Sequence, residues 1–369
     1  MIRKINNNRR KTYQNIGIFY LSRHYLTTFI AIFTIISLVS LLNSGVFAFE
    51  GEILAPNALK KGDTICILEV ARAVRYHEKA FEERLPIIIQ NLEKRGFKVV
   101  VYKECFEFTP LGLGDGTEQL RGDLFNKAVY DKEIKGIFSF WGGYGAMHIL
   151  DKIDYNAFRK NKKIFAGFSD ETAVELAILE KAGVVTFHAP MVGSSLNWKE
   201  TLCFDNLFEI LMNPKREMEL CNIDDSSPFV VFKSGKCKGQ VFGGNMSLIQ
   251  CLIGTPYEPN YKGKILFFEE IEENDYRIHR ILWQLKLSGR LRELTGIIIG
   301  KMTPTQGKTE EGILRACFDV IKDLNIPIIY NFHAGHIKNP ITLPIGATLQ
   351  IQDNKVVVTG SVVQFPDLP

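Results

Sequence analysis

The chain has 369 residues, 46% hydrophobic and 23% charged, an ordinary globular composition with enough length for two modest domains. Its net charge of +4 is unevenly placed: residues 1–24 hold six basic side chains (Arg3, Lys4, Arg9, Arg10, Lys11, Arg23) and no acidic one, leaving about −2 for the rest. A body without surplus positive charge has little to offer a phosphate backbone, so nucleic-acid binding is disfavoured.

Behind the basic start comes an apolar run, Phe29 to Leu42, and then Val46-Phe47-Ala48. Small residues three and one before a cut after Ala48 fit a signal-peptidase site, so residues 1–48 read as an export signal. The uncharged stretch from Tyr25 to Phe49 is also long enough for an uncleaved anchor. In both cases the basic flank stays inside and the body is exported to the periplasm or cell envelope.

From about residue 57 strands and helices alternate. Thr64–Val70 reads as a buried strand. His77–Arg95 carries Leu85, Ile88, Ile89 and Leu92 at the spacing of one helix face, with Pro86 expected to kink or delay it. Phe97–Tyr102 is a second strand, followed by a loop with Pro110, Gly112 and Gly114. A helix begins near Thr117, and strands at Ile134–Phe140 and Lys163–Phe168 and a helix at Glu171–Ala182 follow. This rhythm predicts an α/β fold whose N-terminal domain, residues 49–190, is a Rossmann-like parallel sheet. Residues 191–230 are mixed and read as a linker region, with a helix near Phe204–Met212 and a loop at Asp224–Pro228. From 231 to 369 short strands and helices at Asp275–Lys286 and Glu310–Leu324 predict a C-terminal α/β domain with a mixed, barrel-like sheet. The seven cysteines (Cys66, Cys105, Cys203, Cys221, Cys237, Cys251, Cys317) form no C-x-x-C pair, which leaves a structural zinc site without support. Cys66 and Cys251 lie in apolar runs and are expected to be packed rather than bridged.

Three places could carry chemistry. Ser169, in Gly167-Phe168-Ser169-Asp170-Glu171, falls between an apolar strand and a helix, where free amides and the helix dipole favour developing negative charge. An ordinary N-cap reads the same way. Trp141-Gly142-Gly143-Tyr144-Gly145 is a glycine-rich turn after a strand; it could line an oxyanion hole or cradle phosphate, or be a tight turn and nothing more. Glu269 and Glu270 end an apolar strand, an odd place for charge unless it faces a cleft. His336, in His333-Ala334-Gly335-His336, could serve as a base oriented by a carboxylate. The H-x-x-H pair could ligate metal, but no H-E-x-x-H helix accompanies it.

Taken together, PNALKKGDTI, GTEQLRGDLFNKAVYDKEIKGIF, GGYGA, GFSDETA, HAPM, GGNMSL, ILFFEEIEENDYRIHRIL and GHIKNPITLPIG closely resemble, in order, the LD-carboxypeptidase family of serine peptidases, which includes the microcin-immunity peptidases. The resemblance runs from about Pro56 to Ile351. It implies Ser169 as nucleophile, His336 as general base and Glu269, rather than Glu270, as the residue orienting it. The amides of Asp170 and Gly143 are implied to form the oxyanion hole. Some cationic or amide donor must recognise the terminal carboxylate, and Asn245 is a candidate for this, with a structural turn as its alternative; Tyr144 is a further candidate for substrate binding. It further implies a two-domain homodimer without metal or organic cofactor, acting on peptidoglycan-derived peptides. The expected reaction is hydrolysis of the bond between an L-configured diamino acid and D-alanine. A same-fold peptidase inactivating a peptide–nucleotide antibiotic, and a non-catalytic muropeptide-binding protein, are the alternatives. The chain departs from the family pattern at Trp141 (usually arginine), at Ile67–Val74 in the first strand and its turn, at His279 (usually aspartate) and at His188-Ala189-Pro190.

Overall fold

A computed structural model describes residues 51–71, 78–106, 117–194, 199, 202–221, 228–352 and 354–365. The expected export segment, Arg72, Arg75, the loop at Pro110–Gly114 and most of the loop at Asp224–Pro228 lie outside these residues.

The described residues belong to one compact unit, Ala48–Pro369. Its first sheet has five strands in the order β5-β4-β3-β1-β2 and a sixth, β12 (Leu343–Ile345), outside β5. Strands β1 (Thr64–Leu68), β2 (Lys98–Val101), β3 (Ile134–Ser139), β4 (Ile164–Gly167) and β5 (Thr186–His188) are mutually parallel. Buried apolar side chains fill β1, β3 and β4, as a sheet covered on both faces requires. The order 2-1-3-4-5 is that of doubly wound flavodoxin-like sheets, whose ligand crevice lies at the carboxyl ends of the strands where the winding reverses, here β1 and β3.

Helices α1 (Glu78–Lys94), α2 (Thr117–Tyr130), α3 (Tyr155–Asn161) and α4 (Thr172–Ala182) make the crossovers. Pro86 lies inside α1, which runs from Glu78, so it does not delay the helix. Burial of Leu85, Ile88 and Leu92 supplies more than the one lost backbone hydrogen bond removes. Of the eleven residues of α4 all but Lys181 are buried, so this helix runs through the core.

The second sheet has eight strands in the order β6-β14-β13-β8-β9-β10-β11-β7. Strands β8 (Cys237–Asn245), β9 (Ile265–Glu273), β10 (Gly296–Pro304) and β11 (Ile328–Tyr330) form its parallel centre. Antiparallel β6 (Glu217–Leu220), β14 (Lys355–Thr359) and β13 (Thr348–Gln352) flank it on one side and β7 (Val230–Lys233) on the other. Helices α5 (Leu202–Met212), α6 (Met246–Leu252), α7 (Asp275–Leu287) and α8 (Glu310–Ile321) complete the body.

Two strands link regions that the sequence separates. β12 (Leu343–Ile345) pairs antiparallel with β5 of the first sheet, and β6, from the expected linker, pairs with β14. Cys66 is buried as expected, which pushes its thiol up to about 12. Cys251 is not packed: the buried residues Met246, Ile249 and Leu252 define the inner side of α6 and leave Cys251 on the outer one.

Candidate active site

Ser169 stands one residue beyond Phe168, which follows the end of β4, at φ 67°, left-handed backbone that a non-glycine residue holds only under constraint. Phe168 before it is extended, and a single 3-10 turn, Ser169–Glu171, runs into α4. The sharp strand-to-helix turn has the shape of a nucleophile elbow, although the G-x-S-x-G sequence is absent. Two acidic side chains of this turn are buried, Asp170 and Glu171.

His336 meets Ser169 from the loop between β11 and β12. Its Nε2 lies 2.9 Å from Ser169 Oγ, and its Nδ1 lies 2.7 Å from Glu269 Oε2. A carboxylate can only accept, so Nδ1 carries the hydrogen and Nε2 is left to accept from the serine hydroxyl. Burial by itself would raise the Glu269 carboxyl. The His336 charge and hydrogen bond, with His188 and Asn245, hold it below its ordinary value. Burial would likewise lower His336, but Glu269, then Glu270 and Glu272, hold it above the usual imidazole range. Glu269 is inaccessible to solvent, so its pairing is what makes its charge tolerable there.

Three local devices fix this geometry. Gly335 has φ 118°, and a Cβ there would stand 2.7 Å from Glu269 Oε2, so only glycine lets the histidine loop approach the carboxylate. The loop is pinned to β10 by Lys301 N–H donating to Ala334 O at 3.0 Å and by Thr303 Oγ1 donating to His336 O at 3.3 Å. Asn245, at the end of β8, donates from Nδ2 to Glu269 Oε1 at 3.3 Å and to Glu270 Oε1 at 2.7 Å, while its Oδ1 caps α6. Its backbone N–H donates to Thr172 Oγ1 at 2.9 Å, tying β8 to the start of α4. Asn245 is 3% exposed, and these contacts make it a support for the carboxylates.

The glycine turn passes beside the nucleophile. A Cβ on Gly142 would lie 3.2 Å from Ser169 Cβ, and Gly143 adopts φ 130°. Ala146 N–H, just beyond the turn, donates to Asp170 Oδ2 at 2.7 Å, so Asp170 joins the two loops through its side chain. Tyr144 is exposed, with its ring edge-on to His148 at 5.3 Å. The ring of Trp141 lies 4.9 Å beneath the Arg84 guanidinium.

Ser169, His336 and Glu269 are thus brought together, with Asp170, Gly143 and Asn245 in the loops and strands around them. Sequence reasoning missed several buried charges. Glu69, beyond β1, accepts Trp141 N–H at 3.0 Å; Arg121 of α2 is buried and donates to Val70 O and Gly145 O; Glu175 contacts His188 Nδ1 at 3.3 Å. The signal for Glu69 was present, since it follows an apolar run as Glu269 does. His279, by contrast, lies on the outer side of α7 with Asp319 and Trp283. Among the described residues no group of three histidine, cysteine or acidic side chains is arranged to hold a metal ion.

Fold and sequence together define the class. Models of the LD-carboxypeptidase N-terminal and C-terminal domains match residues 67–189 and 238–351, and the chain belongs to the LD-carboxypeptidase family. It is 31% identical over 311 residues to the probable murein peptide carboxypeptidase of Bacillus subtilis, covering 82% of this chain and 92% of that protein. It is 29% identical over 301 residues to the microcin C7 self-immunity protein MccF of Escherichia coli, covering 72% and 85%. The wild-type apo structure of MccF superposes with a TM-score of 0.73 at 25% identity, over 84% of this chain and 100% of that one. A muramoyltetrapeptide carboxypeptidase from Oxalobacter formigenes superposes with a TM-score of 0.65 at 25% identity, over 82% and 99%.

Proposed function

We propose that the protein is a serine LD-carboxypeptidase that removes D-alanine from the L-diamino acid of peptidoglycan tetrapeptides, in cell-wall recycling or remodelling. The observation that carries this reading is the continuous relay Ser169 Oγ–His336–Glu269, at 2.9 and 2.7 Å, on a strained elbow. A binding protein has no need of a serine held in left-handed backbone against a base.

In this reading Ser169 Oγ attacks the carbonyl of the scissile bond as its proton passes to His336 Nε2. Glu269 keeps the imidazole oriented and stabilises the imidazolium. The amides of Asp170 and Gly143 hold the oxyanion, with the α4 dipole behind them. His336 protonates the departing D-alanine, then activates the water that clears the acyl-enzyme. Tyr144 lines the entrance and Asn245 supports Glu269. The basic start and apolar run favour export to the envelope, and action there as a homodimer belongs to the same proposal.

The test incubates residues 49–369 with a disaccharide tetrapeptide and follows free D-alanine by mass spectrometry. Release supports the reading, and no release from a folded protein removes it. The higher TM-score with MccF than with the muramoyltetrapeptide carboxypeptidase favours one second reading, cleavage of an aminoacyl nucleotide. Aspartyl sulfamoyl adenosine, which MccF holds in one structure, is therefore the second substrate of the same assay. Cleavage of that compound alone would replace the first reading by the second.

A further inference from the structure

Behind the nucleophile, Ser139, Trp141 and Glu171 make a hydrogen-bond arrangement that does not balance if every carboxyl is ionised. Ser139 Oγ stands 2.9 Å from Glu171 Oε1 and 3.1 Å from the backbone oxygen of Trp141. A serine hydroxyl has one hydrogen and cannot donate to two acceptors at full strength. Glu171 is inaccessible to solvent, and among the described residues its Oε2 has no hydrogen-bond partner. A buried carboxylate oxygen without a donor is far costlier than the carbonyl oxygen of a neutral acid.

We infer that Glu171 is a neutral acid whose proton is given to Ser139 Oγ, so that Ser139 donates in turn to Trp141 O and positions the glycine turn beside Ser169. The other side of the same residue is held by Glu69, which accepts Trp141 N–H at 3.0 Å and Ala71 N–H at 3.3 Å. Both Glu69 oxygens are acceptors there, which suits the ionised partner of the pair. Burial raises both carboxyls. At Glu69 the Ala71 and Trp141 amides and the Arg121 guanidinium oppose that rise without cancelling it, and Asp170 adds to it; at Glu171 the Glu69 and Asp170 charges add to it against the Ser139 hydrogen bond, and both carboxyls stay well above the ordinary value. Trp141 is thereby clamped at its N–H and its carbonyl, immediately before Gly142, where a Cβ would press on both Ser169 Cβ and Glu171 Oε2. The clamp fixes where the amide of Gly143 points.

Glu171 is thus a positioning residue, acting through Ser139 and the turn. The inference rests on Ser169 being the nucleophile. Glu171→Gln keeps a neutral donor toward Ser139, while Glu171→Met keeps bulk and removes the donor. Ser139→Ala removes the middle of the relay with a minimal change of volume, so it decides the matter if Glu171→Met does not fold. The expected result is a kcat within about twofold of the parent for Glu171→Gln, and a fall of about tenfold for Glu171→Met and Ser139→Ala at unchanged KM. Equal losses in Glu171→Gln and Glu171→Met, or a parental kcat in folded Ser139→Ala, would overturn it. A readout without substrate separates this from the function itself: carbon-13 NMR of glutamate-labelled protein at neutral pH. The carboxyl resonance lost in Glu171→Gln should be that of a neutral acid, and the loss of a carboxylate resonance would overturn the inference. Absence of D-alanine release by the parent would instead remove the proposed function.

Discussion

At the residue scale, the coupling of His336 to Glu269 sets both pH behaviour and local stability. The general base must be neutral, so kcat/KM rises with pH through the His336 value, expected above the ordinary imidazole value of about 6.5. Glu269→Gln removes the largest influence raising that value and leaves burial, so the rise should move to lower pH while kcat falls; an unmoved midpoint would contradict the relay. The stability held in His336 is complete below its ordinary value and is lost as pH rises through its raised one. That held in Glu269 is present above the ordinary carboxyl value and is lost as pH falls through its lowered one. Gly335→Ala puts a methyl group against Glu269 Oε2 at a φ alanine resists. It should cost about 1–3 kcal/mol in urea unfolding and depress kcat more than KM. The relay residues were legible because each sits in a motif of its own, on an element whose end the sequence marks. Glu171 and Arg121 were not, since a charge within a helix or at its start ordinarily reads as a solvated one. Only folding shows that positions 69, 121, 139 and 171 are all buried.

At the scale of elements, supports shared between strands and helices decide where the functional atoms stand. Asn245 closes β8, caps α6 and donates to both carboxyls that follow the apolar part of β9. Asn245→Ala should therefore cost about 1–3 kcal/mol by denaturant titration, from an uncapped helix and carboxylate oxygens without their donor. A change below about 0.5 kcal/mol would mean that water replaces the amide in full. The strands β1, β3, β9 and β10 follow from their apolar runs. The three-residue strands β5, β11 and β12 do not, because so short a run has no periodicity to read. β12 lies inside a segment, GHIKNPITLPIG, that reads as a loop rich in proline and glycine; as an antiparallel edge strand it tolerates Pro344.

At the scale of the molecule, the site is assembled from the carboxyl ends of parallel strands in both sheets. β4 leads to Ser169 and β3 to the glycine turn. β8 and β9 bring Asn245 and Glu269, and the loop after β11 brings His336. Chain that has already laid down β6 to β11 of the second sheet returns as β12 to complete the first, and then goes back to add β13 and β14 to the second. The two sheets should consequently lose structure together, with loss of fluorescence and of far-ultraviolet dichroism coinciding in one urea transition. Two separated transitions would show that the return strand contributes little to the first sheet. The α/β class and the parallel first sheet were legible in the alternation of elements. The crossing back of β12 was not, because pairing between distant segments leaves no local trace.

The most direct test of the account compares Ser169→Ala with the parent, both shown folded by near-ultraviolet dichroism, on a disaccharide tetrapeptide. The account predicts D-alanine release by the parent and a loss of at least about a thousandfold in the variant, with the melting temperature maintained. Release by the variant at a rate near that of the parent would show that the chemistry does not pass through Ser169.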